Sequence, residues 1–476
     1  MLSPIIISDG QVSGVDSLST AASSVMNWDV DEAGVNRVRP ALVQHVLANM
    51  TTDPIVGAEW WNGYLMLVTQ SSGGLRSLWA VSDSVPGYAQ QLSDESDSTT
   101  LLGGLERPVF AAGANHIYVA GGDRLLKWGP DLIWAEEVTT SPYCTHVASL
   151  GQRLLTNDLE YSGVYRWSDI GESVWATWPA LNRSNADARP DPIVGVYENV
   201  NEALIWGDTT LQAYAVGSDP SFPFERVSSI NTGLAAPYCV VRLDEKFAFL
   251  DQNRRIVQSD GRMVEPFSDA IDKDLRGLST VSDAWGYREE IGQHSRLVFR
   301  FPTAARTFVF DMKGKRWSER DYYTAPFTGD WPAGAYAKWP TSNLHMIGLT
   351  SGGLRYLSID TRSDHGSVPI VCSRVTGWHD HGSKKRKRSI RIRLALRRGT
   401  ASEGATPGAL EVRHQNDDGP WSPWESVSVG TPSQYNHVVD LYPGGIFYRR
   451  RYQFRFSTTE DISLVEAHDD VMELAT

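Results

Sequence analysis

The chain has 476 residues, 44 Lys or Arg against 57 Asp or Glu, and a formal net charge of −13. Its 41% hydrophobic and 10% aromatic residues supply enough apolar surface for a core, which excludes general disorder. The acidic balance argues against attraction of the whole molecule to nucleic acid or anionic lipid.

Neither secretion nor membrane insertion is predicted. The N-terminal run Met1–Asp9 has no basic residue and only three consecutive aliphatic residues, too few for a signal peptide. No apolar stretch approaches the length of about 18 residues that could span a bilayer. Cys144, Cys239 and Cys372 are far apart and lack C-x-x-C spacing, which predicts neither a disulfide framework nor a cysteine zinc site. We expect a soluble protein that folds in a reducing cytosol.

Residues 1–50 show no regular pattern, but from Ile55 onward short apolar segments alternate with Gly, Asn, Asp or Ser turns. Ile55–Val68 and Pro108–Ala120 each predict strand, turn and strand. Comparable units begin at positions 55, 108, 145, 192, 236, 283 and 329. A period in the middle forties is typical of four-stranded β-propeller blades. We predict a propeller over residues 51–360, with seven blades favoured and six possible, and residues 1–50 closing the ring or packing beneath it. A large sandwich or several β domains is the alternative.

The period is lost after Asp360, where the polar run Thr361–Ser367 predicts a linker. Residues 361–476 then predict a C-terminal antiparallel β-sandwich-like domain, so the whole chain is expected to be all-β. Within Phe447–Phe456, alternation places Tyr448, Arg450, Tyr452, Phe454 and Phe456 on one face and Arg449, Arg451 and Arg455 on the other.

One segment departs from the acidic balance. Lys384–Arg398 contains nine basic residues and no acidic one, so the rest of the chain carries −22. Alternation directs Ile390, Ile392, Leu394 and Leu396 to the core, and Lys384–Arg388 is expected to be a loop. The basic side could contact phosphates of DNA or an acidic protein partner, and both remain open. The candidate contacts are Lys384, Lys385, Arg386, Lys387, Arg388, Arg391 and Arg393.

No pattern of catalytic residues is present. There is no P-loop, dinucleotide fingerprint or Ser/His/Asp order, and His379 and His381 lack an identifiable third ligand. Ser168–Trp175 is similar to the Asp-box turn of sialidase-type propellers, which is structural, although its Trp lies one residue too far. We therefore predict no enzymatic activity, no metal and no cofactor. Tryptophan suits cores and interfaces equally, and Trp60 and Trp61 are the candidate outward protein contacts.

Three stretches together resemble the tail hub or nozzle proteins of short-tailed phages (podoviruses), also called packaged DNA stabilization proteins. Asn27–Pro40 is similar to the family run N-x-D-x-x-G-x-x-R-x-R-P-G, with Ala41 replacing the final Gly. Val164–Trp178 is similar to the R-W-S-D-x-G-x-x-x-x-W turn of phage tail propellers. Ile230–Asp272 is similar to the family run G-x-x-A-P-x-S-V, F-x-F-L, G and I-S-x-x-I, with Cys239 where Ser is usual.

The resemblance implies a structural virion protein, assembled in the bacterial host cytoplasm and located in the virion tail. It implies a homo-hexameric ring below the portal and adaptor proteins that retains packaged double-stranded DNA and forms part of its exit channel. Tailspikes or tail fibres would dock on the ring, and a tail needle or plug is a further implied partner. The DNA would pass without sequence-specific contacts, and this chain would not insert in a membrane. The alternative is a propeller glycosidase or lectin acting on host surface sugars.

Overall fold

Among the described residues, six four-stranded antiparallel sheets and a seventh four-stranded antiparallel unit, which is part of a larger sheet, form the blades of a β-propeller. The all-β class and the favoured blade number are therefore confirmed. The computed structural model describes residues 2–5, 24–30, 36–93, 98, 103–104, 106–132, 134–186, 191–322, 329–364, 368–398, 409–430, 435–458 and 462–475.

The described strands before blade 1 are β1 (Leu2–Pro4), β2 (Ser24–Met26), β3 (Trp28–Val30), β4 (Asn36–Val38) and β5 (Ala41–His45). Blades 1 and 2 consist of β6 (Ile55–Trp61), β7 (Tyr64–Gln70), β8 (Arg76–Ser82) and β9 (Gln90–Gln91), then β10 (Val109–Ala112), β11 (Ile117–Ala120), β12 (Leu126–Trp128) and β13 (Glu136–Glu137). Blades 3 and 4 consist of β14 (Val147–Leu150), β15 (Arg153–Asn157), β16 (Val164–Trp167) and β17 (Arg183–Asn185), then β18 (Ile193–Asn199), β19 (Glu202–Gly207), β20 (Leu211–Val216) and β21 (Phe224–Ile230). A 3₁₀ turn, Glu172–Val174, lies inside blade 3.

Blade 5 consists of β22 (Val240–Leu243), β23 (Lys246–Leu250), β24 (Ile256–Ser259) and β25 (Val264–Pro266), and helix α1 (Asp272–Gly277) follows it. Blade 6 consists of β26 (Trp285–Ile291), β27 (His294–Phe301), β28 (Arg306–Asp311) and β29 (Arg316–Glu319). Blade 7 contains β30 (Ala333–Trp339), β31 (Leu344–Leu349) and β32 (Leu354–Ser358). The C-terminal strands are β33 (Ser363–Asp364), β34 (Val368–Val375), β35 (Lys387–Arg398), β36 (Ala409–Asn416), β37 (Glu425–Ser428), β38 (Asn436–Leu441), β39 (Ile446–Phe447), β40 (Arg450–Thr458) and β41 (Ile462–Glu473).

The turns between the first two strands of a blade follow from local chemistry. Asn62 and Gly63 both have positive φ, 45° and 84°, and connect paired Trp61 and Tyr64. This is the two-residue turn whose twist matches the flanking strands, and Asn and Gly adopt it at low cost. Hairpins of this kind can form from short stretches of sequence, which is why the blade starts could be read directly from the chain.

The propeller ring is closed by an N-terminal strand. The fourth strand of blade 7 is β5, which pairs antiparallel with β32 from Leu354 opposite His45 to Ser358 opposite Ala41. The last blade is thus completed by residues more than 300 positions earlier in the chain. Such closure ties the two ends of the propeller together, so the ring cannot open without breaking this strand pair.

The C-terminal strands form a sandwich of two sheets, which confirms the predicted architecture. One sheet has the order β3-β4-β41-β35-β38. The other, β34-β40-β36-β37, is continuous through β2 with the outer strand of blade 6. Their inner faces share one core, which includes Ile392, Leu394, Leu410 and Phe454, all at most 1% exposed. The described strands of residues 1–50 are therefore distributed between the sandwich and blade 7.

Asn27 and Arg39 form a buried hydrogen-bonded junction between the propeller and the sandwich. Asn27 has a φ of 55° and donates its side-chain amide to Asp321 Oδ1 (2.7 Å) and to the Val371 carbonyl (2.9 Å). Its Oδ1 accepts a hydrogen bond from Arg39 Nε at 3.0 Å. Arg39 in turn forms a bidentate ion pair with Asp364, at 2.7 and 3.2 Å, and both side chains are buried. These contacts join blade 6, the sandwich and the N-terminal segment.

The predicted linker Thr361–Ser367 contains part of this junction. Ser363 and Asp364 form β33, pair with β34 and are 5% and 0% exposed. Residues 365–367 lie outside the described residues. The described half of the segment is therefore packed structure and not a free connection, because Asp364 must stay beside Arg39 to be neutralised.

Candidate functional site: the axial cavity and the basic surfaces

An axial cavity of about 450 Å³ is lined by residues from all seven blades. Most of them lie on the innermost strands, such as Glu59 in blade 1, Tyr197 in blade 4 and Tyr336 in blade 7. The volume is that of a small-molecule pocket, about 300–1,000 Å³. A DNA duplex, whose major groove alone is about 12 Å wide, does not fit it.

Side chains cross the axis at the end of the cavity where the inner strands begin. Arg107 of blade 2 stacks over the Trp285 ring of blade 6 at 3.7 Å and donates to the Gly334 carbonyl of blade 7 at 2.7 Å. Burial, together with the charge of Arg300, lowers the pKa of Arg107 to about 9. Because blade 2 is adjacent to neither blade 6 nor blade 7, the guanidinium must reach across the axis. The cavity is not a through-channel for a polymer.

The opposite mouth carries paired charges. Arg288 contacts Asp244 at 2.9 Å and Glu290 at 2.7 Å, and Lys338 contacts Glu290 at 2.9 Å. The hydrogen bond from Lys338 holds the pKa of Glu290 below its usual value. Arg242, which lines both this mouth and the axial cavity, pairs with Glu198 at 3.4 Å.

Glu59 is the exception among these carboxylates, since it has no ion pair with any residue in the described ranges. The surrounding blades desolvate it and raise its pKa to about 7, although the side chain stays accessible from the cavity. A carboxyl group with this pKa changes charge near neutral pH.

The basic run is placed differently from its sequence-based interpretation. Lys387 and Arg388 belong to strand β35 and not to a loop. A bulge between Ser389 and Arg391 in the pairing with β41 turns Ile390 outward, where it is 46% exposed, so its predicted core position is wrong. Lys387 is buried and its Nζ donates to the carbonyls of Ser383 (2.6 Å) and Lys385 (2.8 Å). Lys387 is therefore not available to a partner.

Acidic residues of the same chain neutralise part of the run. Arg393 forms a bidentate pair with Asp440, at 2.9 and 3.0 Å. Arg391 lies 3.5 Å from Asp440 and 3.6 Å from Asp470, and Lys385 lies 3.4 Å from Glu473. Of the predicted contacts, those that are exposed and form no ion pair with a described residue are Lys384, Arg386 and Arg388.

The two candidate interface tryptophans have different surroundings. Trp61 is 4% exposed, packs against Trp128 of blade 2 and donates its indole N–H to the Gly113 carbonyl at 2.6 Å. Its prediction as an outward contact is wrong, because the ring is part of the packing between blades. Trp60 is half-buried beside the cavity mouth, and its role as a contact stays a prediction.

The outer face of the sandwich carries a cluster of stacked arginines and tryptophans that was not predicted from the sequence. Arg449, Arg451 and Arg455 of the predicted outer face stack against tryptophans from two other segments. The alternation of these arginines in Phe447–Phe456 was visible in the sequence. Their stacking on Trp378 and Trp424 was not, because it depends on which strands pair.

Within the described ranges, no three His, Cys, Asp or Glu side chains come together as metal ligands would. None of the helices in the described part of the chain has the length and apolar character needed to cross a membrane.

Several solved structures are similar to this chain at low sequence identity. The extracellular domain of BT4673 from B. thetaiotaomicron appears in two structures at 9% identity, with TM-scores of 0.44 and 0.43. They cover 67% and 84% of this chain, which spans only 39% and 47% of their length. Raptor from Chaetomium thermophilum is 11% identical, with a TM-score of 0.42, over 70% of this chain and 29% of its own.

No curated protein matches the chain. The family model described as bacteriophage P22 Gp10, β-propeller, matches residues 89–330, just over half of the chain. This range begins at the end of blade 1 and includes blades 2 to 6. The chain therefore belongs to the P22 Gp10 family of phage packaged DNA stabilization proteins, which are structural β-propeller proteins of the virion.

Proposed function

We propose that this chain is a subunit of a ring-shaped tail hub or nozzle of a short-tailed phage. In this role it lies below the portal and adaptor proteins, retains packaged DNA, docks tailspikes or tail fibres and forms part of the DNA exit channel. The observation that carries the proposal is a closed seven-bladed propeller in a chain of the P22 Gp10 family. A homo-hexamer with a tail needle or plug is the assembly that this function implies.

The size of the axial cavity supports a ring of several copies. A cavity of about 450 Å³, crossed by Arg107, leaves no path for a duplex inside one chain. DNA that passes this protein must then run between subunits, and a closed ring is the symmetric arrangement that encloses such a path.

Electron microscopy of the purified full-length chain, alone and with its adaptor, tests the proposal. We expect rings with a central hole wide enough for a duplex. A protein that stays monomeric in both samples would contradict the ring and with it the hub.

The exposed basic residues Lys384, Arg386 and Arg388 are the proposed contacts to exiting DNA or to an acidic partner. Non-specific phosphate contacts need no base readout and weaken with salt. Changing all three to Ser should leave rings intact but let filled heads lose DNA if they contact phosphates. Failure of docking, with normal DNA retention in the particles that do assemble, would assign them to a protein partner.

A second function, binding or hydrolysis of a sugar in the axial cavity, is favoured by one observation. Glu59, with a pKa of about 7, shares the cavity with Glu198, which is paired with Arg242. A glycosidase needs two carboxyl groups that flank the scissile bond. Hydrolysis of host surface glycans by the wild-type chain that is lost in Glu59→Gln would establish this second function. Absence of hydrolysis in both the wild-type chain and Glu59→Gln would dismiss it.

A further inference from the structure

Indole rings and guanidinium groups alternate along the outer face of the sandwich sheet β34-β40-β36-β37. We call this set the Arg–Trp ladder. Each guanidinium carbon lies between 4.3 and 5.1 Å from the centroid of the ring that it stacks on. In order, the members are Arg449, Trp378, Arg451, Trp421, Arg413, Trp424 and Arg455.

The two end members of the ladder are neutralised within the chain. Arg449 pairs with Asp418 at 2.8 Å, and Arg455 pairs with Glu411 at 2.6 Å. These ion pairs hold the ends of the ladder against the sheet and leave little net charge there.

The two central members are not neutralised. Arg413 Nε donates to Gln453 Oε1 at 2.7 Å, and Arg451 Nε donates to Gln415 Oε1 at 2.5 Å. Both arginines are half-buried and neither forms an ion pair with a described residue. Because each Nε is held by a glutamine and each guanidinium lies between two indole rings, the terminal Nη groups have fixed positions. Such a fork suits the two oxygens of a carboxylate.

The distribution of charge along the chain indicates which part of the protein supplies these carboxylates. Residues 361–476 contain 16 Lys or Arg and 14 Asp or Glu, a net charge of +2. Residues 1–360 contain 28 Lys or Arg and 43 Asp or Glu, a net charge of −15. The sandwich of one copy is thus complementary in charge to the propeller of another.

We propose that the Arg–Trp ladder is a self-association surface in which Arg413 and Arg451 bind carboxylates on the propeller of a neighbouring copy. The proposal rests on the proposed function, since it supplies a subunit contact for the ring. Trp and Arg are the residues that most often dominate the binding energy of protein interfaces, and rigid side chains lose little entropy on binding.

The ladder suits a protein partner better than DNA. Glu411 and Asp418 lie within it and Glu425 is exposed on the neighbouring strand, so a row of phosphates would meet carboxylates as well as arginines. A protein partner can instead place single carboxylates at the guanidinium groups of Arg413 and Arg451 alone.

The test is Arg413→Gln/Arg451→Gln in the full-length chain, measured by sedimentation equilibrium over a range of protein concentrations. The matched control is Arg183→Gln/Arg226→Gln, which removes two exposed arginines from outer blade strands. We expect the dissociation constant of the ring to rise at least about tenfold in the ladder variant and to change little in the control. If the ladder variant does not fold, Arg413→Lys/Arg451→Lys, which keeps charge but not the fork, should show the same direction.

Three results would overturn the proposal in distinguishable ways. Wild-type rings with unchanged affinity in a folded ladder variant would refute the ladder contact and leave the hub intact. Loss of duplex DNA binding with normal self-association would reassign the ladder to DNA. A wild-type chain that is monomeric at every concentration would reject the self-association surface together with the proposed ring.

Discussion

Replacing Arg39 with Ala is expected to loosen the closure of the propeller ring. Arg39 is 1% exposed and neutralises Asp364, which is 0% exposed. In Arg39→Ala the Asp364 carboxylate stays buried, with the Leu42 N–H as its remaining described hydrogen-bond donor. Asn27 Oδ1 also loses the hydrogen bond from the Arg39 Nε.

The free-energy cost of Arg39→Ala follows from the burial of the Arg39–Asp364 ion pair. Removing one partner of a buried ion pair costs about 3–5 kcal/mol, because the other charge is left in a low-dielectric interior. Since β5 begins at Ala41, two residues after Arg39, the cost falls on the strand that completes blade 7. At about 1.4 kcal/mol per factor of ten, the closure should open roughly a hundred to a few thousand times more often.

Amide hydrogen exchange measures this opening directly. Protection of the Ala41–His45 amides that pair with β32 should fall by that factor in Arg39→Ala and stay unchanged in Arg226→Ala, which alters an exposed arginine. Asp364→Asn should loosen the same strand. A folded Arg39→Ala protein with wild-type protection across Ala41–His45 would refute the assignment of ring closure to this ion pair.

Three further predictions concern the packing of the propeller. Trp61→Ala should lower the free energy of unfolding by about 3–5 kcal/mol in urea because the ring fills the space between blades 1 and 2, whereas Trp60→Ala should cost much less. Gly233→Ala would place a Cβ 1.9 Å from the Asp208 carbonyl oxygen and should lower the free energy of unfolding by roughly 2 kcal/mol or more. The control Gly277→Ala, whose Cβ would have no atom within 4 Å, should be nearly neutral. Equal thermal midpoints of the two variants would contradict this prediction. Burial lowers the pKa of His146 to about 4, so the unfolded chain takes up this proton at higher pH than the folded one. Stability should therefore fall between about pH 6.5 and pH 4 by up to roughly 3 kcal/mol, and His146→Gln should reduce this slope in urea titrations at pH 7 and 5.

The sequence by itself predicted the propeller and favoured seven blades, with six left possible. Units predicted to start at 108, 192 and 283 correspond to inner strands that begin at Val109, Ile193 and Trp285. They could be located because a strand and its tight turn depend on residues close together in the chain. The division between core and charged faces of β40 was likewise readable from its alternation, with Phe454 inside and Arg455 outside.

Only the tertiary structure decided the contacts between distant segments. Periodicity does not encode which strand completes blade 7, that a bulge exposes Ile390, or that Asp440 neutralises Arg393. The Arg–Trp ladder draws its members from three separate segments, and its order exists only after β34, β36 and β40 pair in register. These features depend on register and on burial across long sequence separations, where a shift of one residue would reverse every side chain and remove the contacts.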